Sequence, residues 1–251
     1  MSGEETIDEI LGGALILRQT RRGYRFNLDS LILAHFVFVR PGSVNLDLGC
    51  GNGIIALVLA KRFDRTHWHG LELQAGPAEL ARRNAETNGL DGRVQIEEGD
   101  ARNFKKIYKP HFFDNIVFNP PYRRLSSGRM NPSGEKAIAR HEVAGSLADF
   151  LTAARYALKP AGRVFAIYPT TRLVEMVSLF RKNAIEPKRM KLVFSDTVSA
   201  AEFVLLEGRG SGREELKVEP SLYIYEEQKK YTPAMRELLT GLALPPGSSG
   251  G

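Results

Sequence analysis

Cysteine and long apolar runs are both scarce in this chain. Cys50 is the only cysteine among 251 residues, which excludes an internal disulfide and a cysteine metal cluster. No run of 18 apolar residues occurs, so we expect no transmembrane helix. The five histidines form no ligand pattern, and we expect no metal. Residues 1–5 lack the basic-then-apolar order of a signal peptide, which leads us to expect a cytoplasmic protein without a leader.

Strand and helix patterns alternate along most of the sequence. The chain is 43% apolar and has the length of one α/β domain with modest additions. Strand patterns occupy a segment from Val44 into a glycine-rich turn, then Thr66–Leu71, Val94–Glu97, Phe112–Phe118 and Arg163–Tyr168. Helical patterns occupy Asp29–Val39 with Asp29 and Ser30 as an N-cap pair, Ile54–Arg62, Gly76–Asn88 ended by Gly89, Ser146–Leu158, Thr170–Asn183 and Pro233–Leu242.

The last strands break this alternation. Lys188–Ser195 and Glu202–Gly208 form a predicted antiparallel pair, and Leu216–Tyr225 forms a further predicted strand. The sequence therefore predicts a doubly wound α/β fold whose sheet is mostly parallel and ends in an antiparallel hairpin. Ligands bind such sheets at the carboxyl ends of the strands.

Asn119-Pro120-Pro121-Tyr122 follows the strand predicted at Phe112–Phe118. Two prolines remove two N–H donors and fix two φ angles, which makes the loop rigid. Asn119 Oδ1 and the Pro120 carbonyl can accept both hydrogens of a planar amide or amine, and Tyr122 can stack on its face. The four residues are therefore the predicted catalytic set. An asparagine-capped turn with a proline pair is the alternative.

The second motif runs from Asp47 to Gly53, where a strand enters a glycine-rich turn. Asp47 would repel a pyrophosphate, and the spacing departs from the dinucleotide fingerprint. The motif resembles motif I of the class I S-adenosylmethionine (SAM) methyltransferases, in which the acid can pair with the amino group of the cofactor. The resemblance implies cofactor contacts at Asp47, Gly49, Cys50, Gly51, Asn52 and Gly53.

Acidic residues also follow the next two predicted strands. Glu72, with Leu73, suits the ribose hydroxyls of a nucleoside. Asp100, with Ala101, resembles the methyltransferase acid that binds the adenine amino group. Either acid alone could be a helix N-cap or a turn residue. Together with Asp47 and Asn119, the acids predict a SAM site at the ends of four successive strands.

Positive charge is concentrated around the Asn-Pro-Pro-Tyr motif. The chain carries a net charge of +6, and residues 102–140 hold nine Lys or Arg against two acids. A solvated basic surface is one interpretation. Nucleic acid is the other, because a polyanion gains from counterion release there. The predicted RNA contacts are Arg123, Arg124, Arg129 and Lys136.

The segment Gln19–Ala34 is similar to the N-terminal signature of the bacterial valine-tRNA adenine N6-methyltransferases. The resemblance spans about residues 10–226 and implies methylation of the adenine just 3′ of the anticodon, with SAM as cofactor and tRNA as partner. It also implies an extension and cofactor lid at 1–40, with Tyr24, Arg25 and Phe26 near the site. The methyltransferase domain is expected at 41–228, and a C-terminal helix and flexible tail at 229–251.

Other nitrogen substrates stay open at this point. Glutamine N5-methyltransferases and ribosomal RNA guanine N2 enzymes share the motif type, although the former usually carry a larger helical domain before motif I. DNA adenine enzymes would be expected to add a recognition region. A non-catalytic SAM- or RNA-binding module is the remaining alternative, and the oligomeric state is open.

Overall fold

The computed structural model describes residues 5–20, 27–120 and 145–243. Its eleven strands are β1 Glu5–Ile10, β2 Leu15–Thr20, β3 Val44–Leu48, β4 His67–Glu72, β5 Val94–Glu98, β6 Phe113–Phe118, β7 Leu158–Pro169, β8 Ile185–Phe194, β9 Ala201–Gly210, β10 Lys217–Val218 and β11 Leu222–Tyr223. Its α-helices are α1 Leu28–Phe36, α2 Ile54–Arg62, α3 Ala75–Thr87, α4 Leu147–Ala157, α5 Leu173–Lys182 and α6 Pro233–Ala243. Short 3₁₀ helices cover Ala101–Lys106, Thr170–Arg172 and Glu227–Lys229.

One mixed sheet runs through the molecule in the order β5-β4-β3-β6-β7-β9-β8-β10, with β11 also paired to β8. The pairs from β5 to β7 are parallel, whereas β9 runs antiparallel to both β7 and β8. The chain winds outward from β3 in one direction and then from β6 in the other. The predicted fold class, a mostly parallel doubly wound sheet with an antiparallel pair near its C-terminal end, is confirmed.

Apolar side chains cover both faces of this sheet. Successive residues of β6 alternate between the faces: Val117 lies in the cluster with α1, α2, α3 and α6, while Ile116 and Phe118 lie in the cluster with α4 and α5. This alternation is the period of an extended strand. Because both faces are covered, β6 ends in consecutive apolar residues, Ile116–Phe118, that are all buried.

Two helix ends follow the capping signals of the sequence. Ser146 begins α4 with a capping box, in which its hydroxyl and the Asp149 carboxylate each accept a backbone N–H of the other residue. Gly89 ends α3 in the left-handed conformation (φ 63°), and the N–H of Leu90 reaches the Ala85 carbonyl at 2.9 Å. Both boundaries could be predicted from the residues next to the helix end.

Other elements differ from the expectation. Helix α1 begins at Leu28 after Asn27, so Asp29 and Ser30 lie inside its first turn rather than capping it. The strand expected at Leu216–Tyr225 is two short strands with Pro220 between them, since proline cannot donate to the ladder of β8. A β1–β2 hairpin occupies part of the predicted extension. The domain boundaries at 40 and 228 stay predictions.

Within the described residues, the longest helix has 13 residues, and no helix is long and apolar enough to cross a membrane. No group of three or more His, Cys, Asp or Glu in the same part of the chain is placed to hold a metal ion.

Candidate active site

Strands β3, β4 and β6 present their carboxyl ends side by side. Leu48 pairs with Leu71, and Asp47 pairs with Val117, so the motif residues that follow these strands emerge along one edge. The chain changes winding direction between β3 and β6, and the crevice at such a switch point is where α/β sheets bind ligands. The structure thus brings Asp47, Glu72 and Asn119 to adjacent positions.

Backbone hydrogen bonds to β4 hold the glycine turn that follows β3. The N–H groups of Gly49 and Cys50 both donate to the Leu71 carbonyl, at 2.7 and 3.1 Å. Gly53 has φ 85° at the start of α2, where a Cβ would lie 3.2 Å from the Cβ of Ala81. Both the left-handed backbone and the close approach require glycine at this position. Cys50 is buried against Gly70, which supports the prediction that it fills a tight turn.

Asp47 lies fully buried beneath this turn. Its Oδ2 accepts the N–H of Ala56 at 3.1 Å, which satisfies a first-turn donor of α2 that the N-cap residue Gly53 cannot reach. Its Oδ1 is buried with no hydrogen-bond partner among the described residues. Burial, with a smaller contribution from the nearby Glu72 charge, raises the pKa of Asp47 to about 7, while the hydrogen bond from Ala56 acts in the opposite direction. A cation bound beside this carboxylate would lower the free-energy cost of ionising it in the protein interior.

Glu72 connects β4 to the glycine turn. Its Oε2 accepts the N–H of Gly51 at 2.9 Å and its Oε1 accepts the N–H of Gln74 at 3.0 Å. Burial raises the pKa of Glu72, while these backbone donors act in the opposite direction. Leu73 lies half-buried beside it. The carboxylate therefore fixes the turn as well as lying at the position expected for ribose binding.

Asp100 caps the 3₁₀ helix that begins at Ala101. Its side chain accepts the backbone N–H of Arg102 at 2.8 Å, and the Arg102 guanidinium pairs with it at 2.6 Å. This guanidinium lowers the pKa of Asp100. Arg102 belongs to the basic segment of the sequence, so part of that charge is already matched by an acid. The role of Asp100 toward adenine stays a prediction.

Asn119 lies at the end of β6 and is held from α1. Its Nδ2 donates to Ser30 Oγ at 3.2 Å, and Ser30 is buried. This bond holds the Asn119 amide against the first turn of α1. Pro120 is buried. The other predicted residues lie outside the described part: Pro121, Tyr122, Arg123, Arg124, Arg129, Lys136, and Tyr24, Arg25 and Phe26 of the expected lid.

Two asparagines on α3 join the N-terminal hairpin to the site. The Asn84 amide binds both backbone groups of Arg18 and donates to the Asn52 carbonyl at 3.0 Å. The Asn88 amide binds both backbone groups of Ile16. The two side chains, four residues apart on a helix, satisfy one edge of β2. Their spacing was the only signal of this role in the sequence, and neither Ser30 nor the asparagines were predicted.

The residues at this edge fit a nucleoside carrying an amino acid. Asp47 has a buried carboxylate oxygen without a partner, and Asn52 has a buried amide nitrogen, Nδ2, without one among the described residues. A positively charged amino group and a hydrogen-bond acceptor would satisfy these two atoms. SAM has both at its amino acid end, and the contact of Glu72 with its ribose stays a prediction.

Several solved structures with similar folds are named as methyltransferases. A predicted O-methyltransferase from Agrobacterium tumefaciens matches with a TM-score of 0.71 at 20% identity, over 86% of this chain and 97% of that one. A geranyl diphosphate methyltransferase in complex with SAM matches with a TM-score of 0.52 at 15% identity, over 73% of this chain and 84% of that one. At these identities the likeness shows a Rossmann-like methyltransferase fold.

A sequence comparison shows the family to which this chain belongs. The family model described as methyltransferase small domain matches residues 26–182. The chain belongs to the methyltransferase small domain family, which confirms the methyltransferase assignment made from the motifs.

Curated relatives carry a more specific name. One from Porphyromonas gingivalis, named tRNA1(Val) (adenine(37)-N6)-methyltransferase, is 34% identical over 164 residues, 63% of this chain and 64% of the relative. The chain thus spans just under two thirds of that relative's length. Another of the same name, from Dyadobacter fermentans, is 26% identical over 234 residues, 91% of this chain and 94% of the relative.

Proposed function

We propose that this protein is a SAM-dependent N6-methyltransferase of adenine in tRNA, acting on adenine 37 of tRNA(Val). The observation that carries the proposal is the Asn119 amide, held by Ser30 at the carboxyl end of β6 beside the glycine turn. The names of the curated relatives support the same nucleotide. The function inferred from the sequence agrees with them.

The cofactor would be held by residues of β3 and β4. Asp47 would meet the amino group, the turn Gly49–Gly53 would support the amino acid end, and Glu72 would take the ribose hydroxyls. When bound, SAM supplies a methyl group on a positively charged sulfur. The buried carboxylate of Asp47 and the adjacent Glu72 give this pocket a negative potential that favours such a cation.

The target nitrogen would be held by Asn119 and Pro120. An exocyclic amine of adenine is a weak nucleophile because its lone pair is delocalised into the ring. If Asn119 Oδ1 and the Pro120 carbonyl accept its two hydrogens, the nitrogen is fixed and the positive charge that develops on it is stabilised. No strong base is required before the methyl group is received, since the proton can leave afterwards.

A tRNA loop suits this site. The target base must leave its stack to reach a pocket at the end of a strand, and unstacking is cheapest in a single-stranded loop. Among the described residues, Lys105, Lys106 and Lys109 lie on and just after the 3₁₀ helix that follows Asp100. They provide positive charge for a phosphate backbone. Cytoplasmic localisation is part of this proposal because tRNA is the substrate.

The substrate is tested by transfer of tritium from labelled SAM. Purified protein is incubated separately with total tRNA, ribosomal RNA, DNA and release factor, and nucleosides or amino acids from each are separated. We expect tritium in tRNA, as N6-methyladenosine. Label in release factor alone would make the protein a glutamine methyltransferase, and label in ribosomal RNA as N2-methylguanosine would make it a guanine enzyme.

A further inference from the structure

A cavity lies at the edge of the sheet opposite to Asn119. Its volume is about 510 Å³, and it is lined by the residues before β3, the first residues of β6 and β7, and the last residues of β9. Asn115 of β6 lines it, and the four residues from there to Asn119 span about 13 Å of extended strand. The cavity is therefore separate from the methyl-transfer site. Its volume lies in the range of small-ligand sites, about 300–1,000 Å³.

Positive charge dominates the wall of this cavity. Four cations line it, Arg40, Lys159, Arg163 and Arg209, against the single carboxylate of Asp114. That carboxylate is already engaged, because it accepts Lys159 Nζ at 2.8 Å and the N–H of Val44 at 2.9 Å.

The arginines are left with little compensation. Arg163 and Arg209 pair directly across β7 and β9, an arrangement in which like charges repel. Glu186 of β8 lies opposite Arg209 on its other side, but the Glu186 carboxylate binds Arg181 at 3.2 Å. Arg163 lies 3.5 Å from Glu207, but Glu207 also binds Arg189 at 2.8 Å. In the described part of the chain, no carboxylate lies within ion-pair distance of Arg40 or Arg209. A bound anion would offset this repulsion.

One further feature points to a nucleotide rather than a bare anion. Phe38 lines the cavity and is 52% exposed, although its ring packs edge-on against Phe63 at 5.8 Å. An exposed aromatic ring beside a cationic groove is the arrangement that binds single nucleotides of a strand, by stacking the base and pairing the phosphate.

We propose that this cavity binds a nucleoside monophosphate, its phosphate held by Arg40 and Arg209 and its base stacked on Phe38. The same chemistry could come from one unit of an RNA strand or from a free nucleotide. The site does not depend on the methyl-transfer function, because it shares no residue with Asp47, Glu72 or Asn119.

Uridine monophosphate is the direct probe, titrated calorimetrically with the SAM site kept filled by S-adenosylhomocysteine. The variant is Arg40→Ala with Arg209→Ala, both exposed side chains. The matched control is Lys61→Ala with Lys182→Ala, which removes the same charge from exposed positions outside the cavity. We expect the nucleotide affinity to fall about fivefold or more in the cavity variant and to change less than about twofold in the control.

Methylation kinetics then separate the two sources of the nucleotide. If RNA occupies the cavity, the KM for RNA rises in the cavity variant with kcat unchanged, and RNA binding loses about two units of its salt dependence. If a free nucleotide occupies it, KM for RNA is unchanged while the loss of uridine monophosphate binding remains. Equal nucleotide affinity in the cavity variant, the control and the wild type would overturn the proposal.

Discussion

The side-chain amide of Asn119 donates to the buried hydroxyl of Ser30 at 3.2 Å, which joins the end of β6 to the first turn of α1. The two residues are 89 positions apart in sequence. This bond holds the amide in place against the helix, and because a hydroxyl can accept from the amide nitrogen or donate to the amide oxygen, it fixes the position of the group rather than which of its two atoms faces the helix. An element that precedes the glycine motif thus takes part in presenting the acceptor.

Removal of the Ser30 hydroxyl should free the Asn119 side chain to move. We expect Ser30→Ala to lower kcat by about tenfold with little change in SAM affinity, because the Asn119 amide would lose the contact that holds it in place and would leave the reactive position. Ser178→Ala is the control, since the Ser178 hydroxyl is also on a helix but donates only to the Val174 carbonyl of that same helix. In an Asn119→Ala background, Ser30→Ala should cost nothing further. An unchanged kcat in Ser30→Ala would contradict the positioning role.

Asp47 should make SAM binding depend on pH. Folding raises the pKa of Asp47 to about 7, so the folded state binds this proton more tightly than the unfolded state. The free energy of unfolding therefore falls as pH rises from about 4, the ordinary pKa of an aspartate, to about 7, the pKa in the folded state. A cation bound beside the ionised carboxylate offsets this loss. We expect the SAM affinity to rise about tenfold between pH 5.5 and pH 7, measured by calorimetry.

Asp47→Asn isolates this group from Glu72, whose pKa is also raised. The variant should bind SAM weakly at both pH values and lose most of the pH dependence. Without SAM, its free energy of unfolding at pH 8 should exceed that of the wild type by about 1–4 kcal/mol, because a buried charge has been removed. A SAM affinity that rises with pH as steeply as in the wild type would show that another group titrates.

Gly53 and Gly76 offer a matched pair of glycine substitutions. Gly53→Ala places a Cβ 3.2 Å from the Cβ of Ala81 in a left-handed residue, so we expect a loss of about 1–3 kcal/mol of stability and weaker SAM binding. Gly76→Ala meets nothing within 4 Å at the start of α3 and should be neutral or stabilising by up to about 1 kcal/mol. Urea unfolding measures both. Equal effects would mean that the turn tolerates a side chain.

Asn84 should hold the N-terminal hairpin in place. Asn84→Ala leaves both backbone groups of Arg18 and the Asn52 carbonyl without this partner, so we expect a loss of about 2–4 kcal/mol. Hydrogen exchange at the Arg18 amide should accelerate more than exchange in β7. Asn183→Ala, which removes a local bond to Leu179, is the control and should leave exchange at Arg18 unchanged. Slow exchange at Arg18 in Asn84→Ala would show that the hairpin is held by other contacts.

The order of strands and helices could be predicted because its signals are local. The apolar run that ends at Phe118, the glycines after Leu48 and the cap at Ser146 each report on their own segment. The β1–β2 hairpin could not be predicted, because the backbone hydrogen-bonding groups on one edge of β2 bind side chains of α3 that lie more than 60 residues away in sequence. The break at Pro220 was visible in the sequence, yet the surrounding apolar residues favoured one continuous strand.

The candidate site was predictable in position but not in its contacts. Asp47, Glu72 and Asn119 could be placed at one edge because each closes a strand of a parallel sheet. That Asp47 supports the N-terminus of α2, and that Glu72 binds the N–H of Gly51, depends on burial and side-chain direction, which one sequence does not carry. The partner of Asn119 depends on the packing of α1 against the sheet.

The central claim is that Asn119 presents an adenine amine of tRNA for methylation. The direct measurement is single-turnover methylation of a tRNA(Val) transcript by the wild type and by Asn119→Ala, with N6-methyladenosine quantified by mass spectrometry and SAM affinity measured in parallel. We expect N6-methyladenosine at adenine 37 with the wild type, and a rate at least about a hundredfold lower with Asn119→Ala while SAM still binds. Near wild-type turnover in Asn119→Ala, or no N6-methyladenosine with the wild type, would contradict the account.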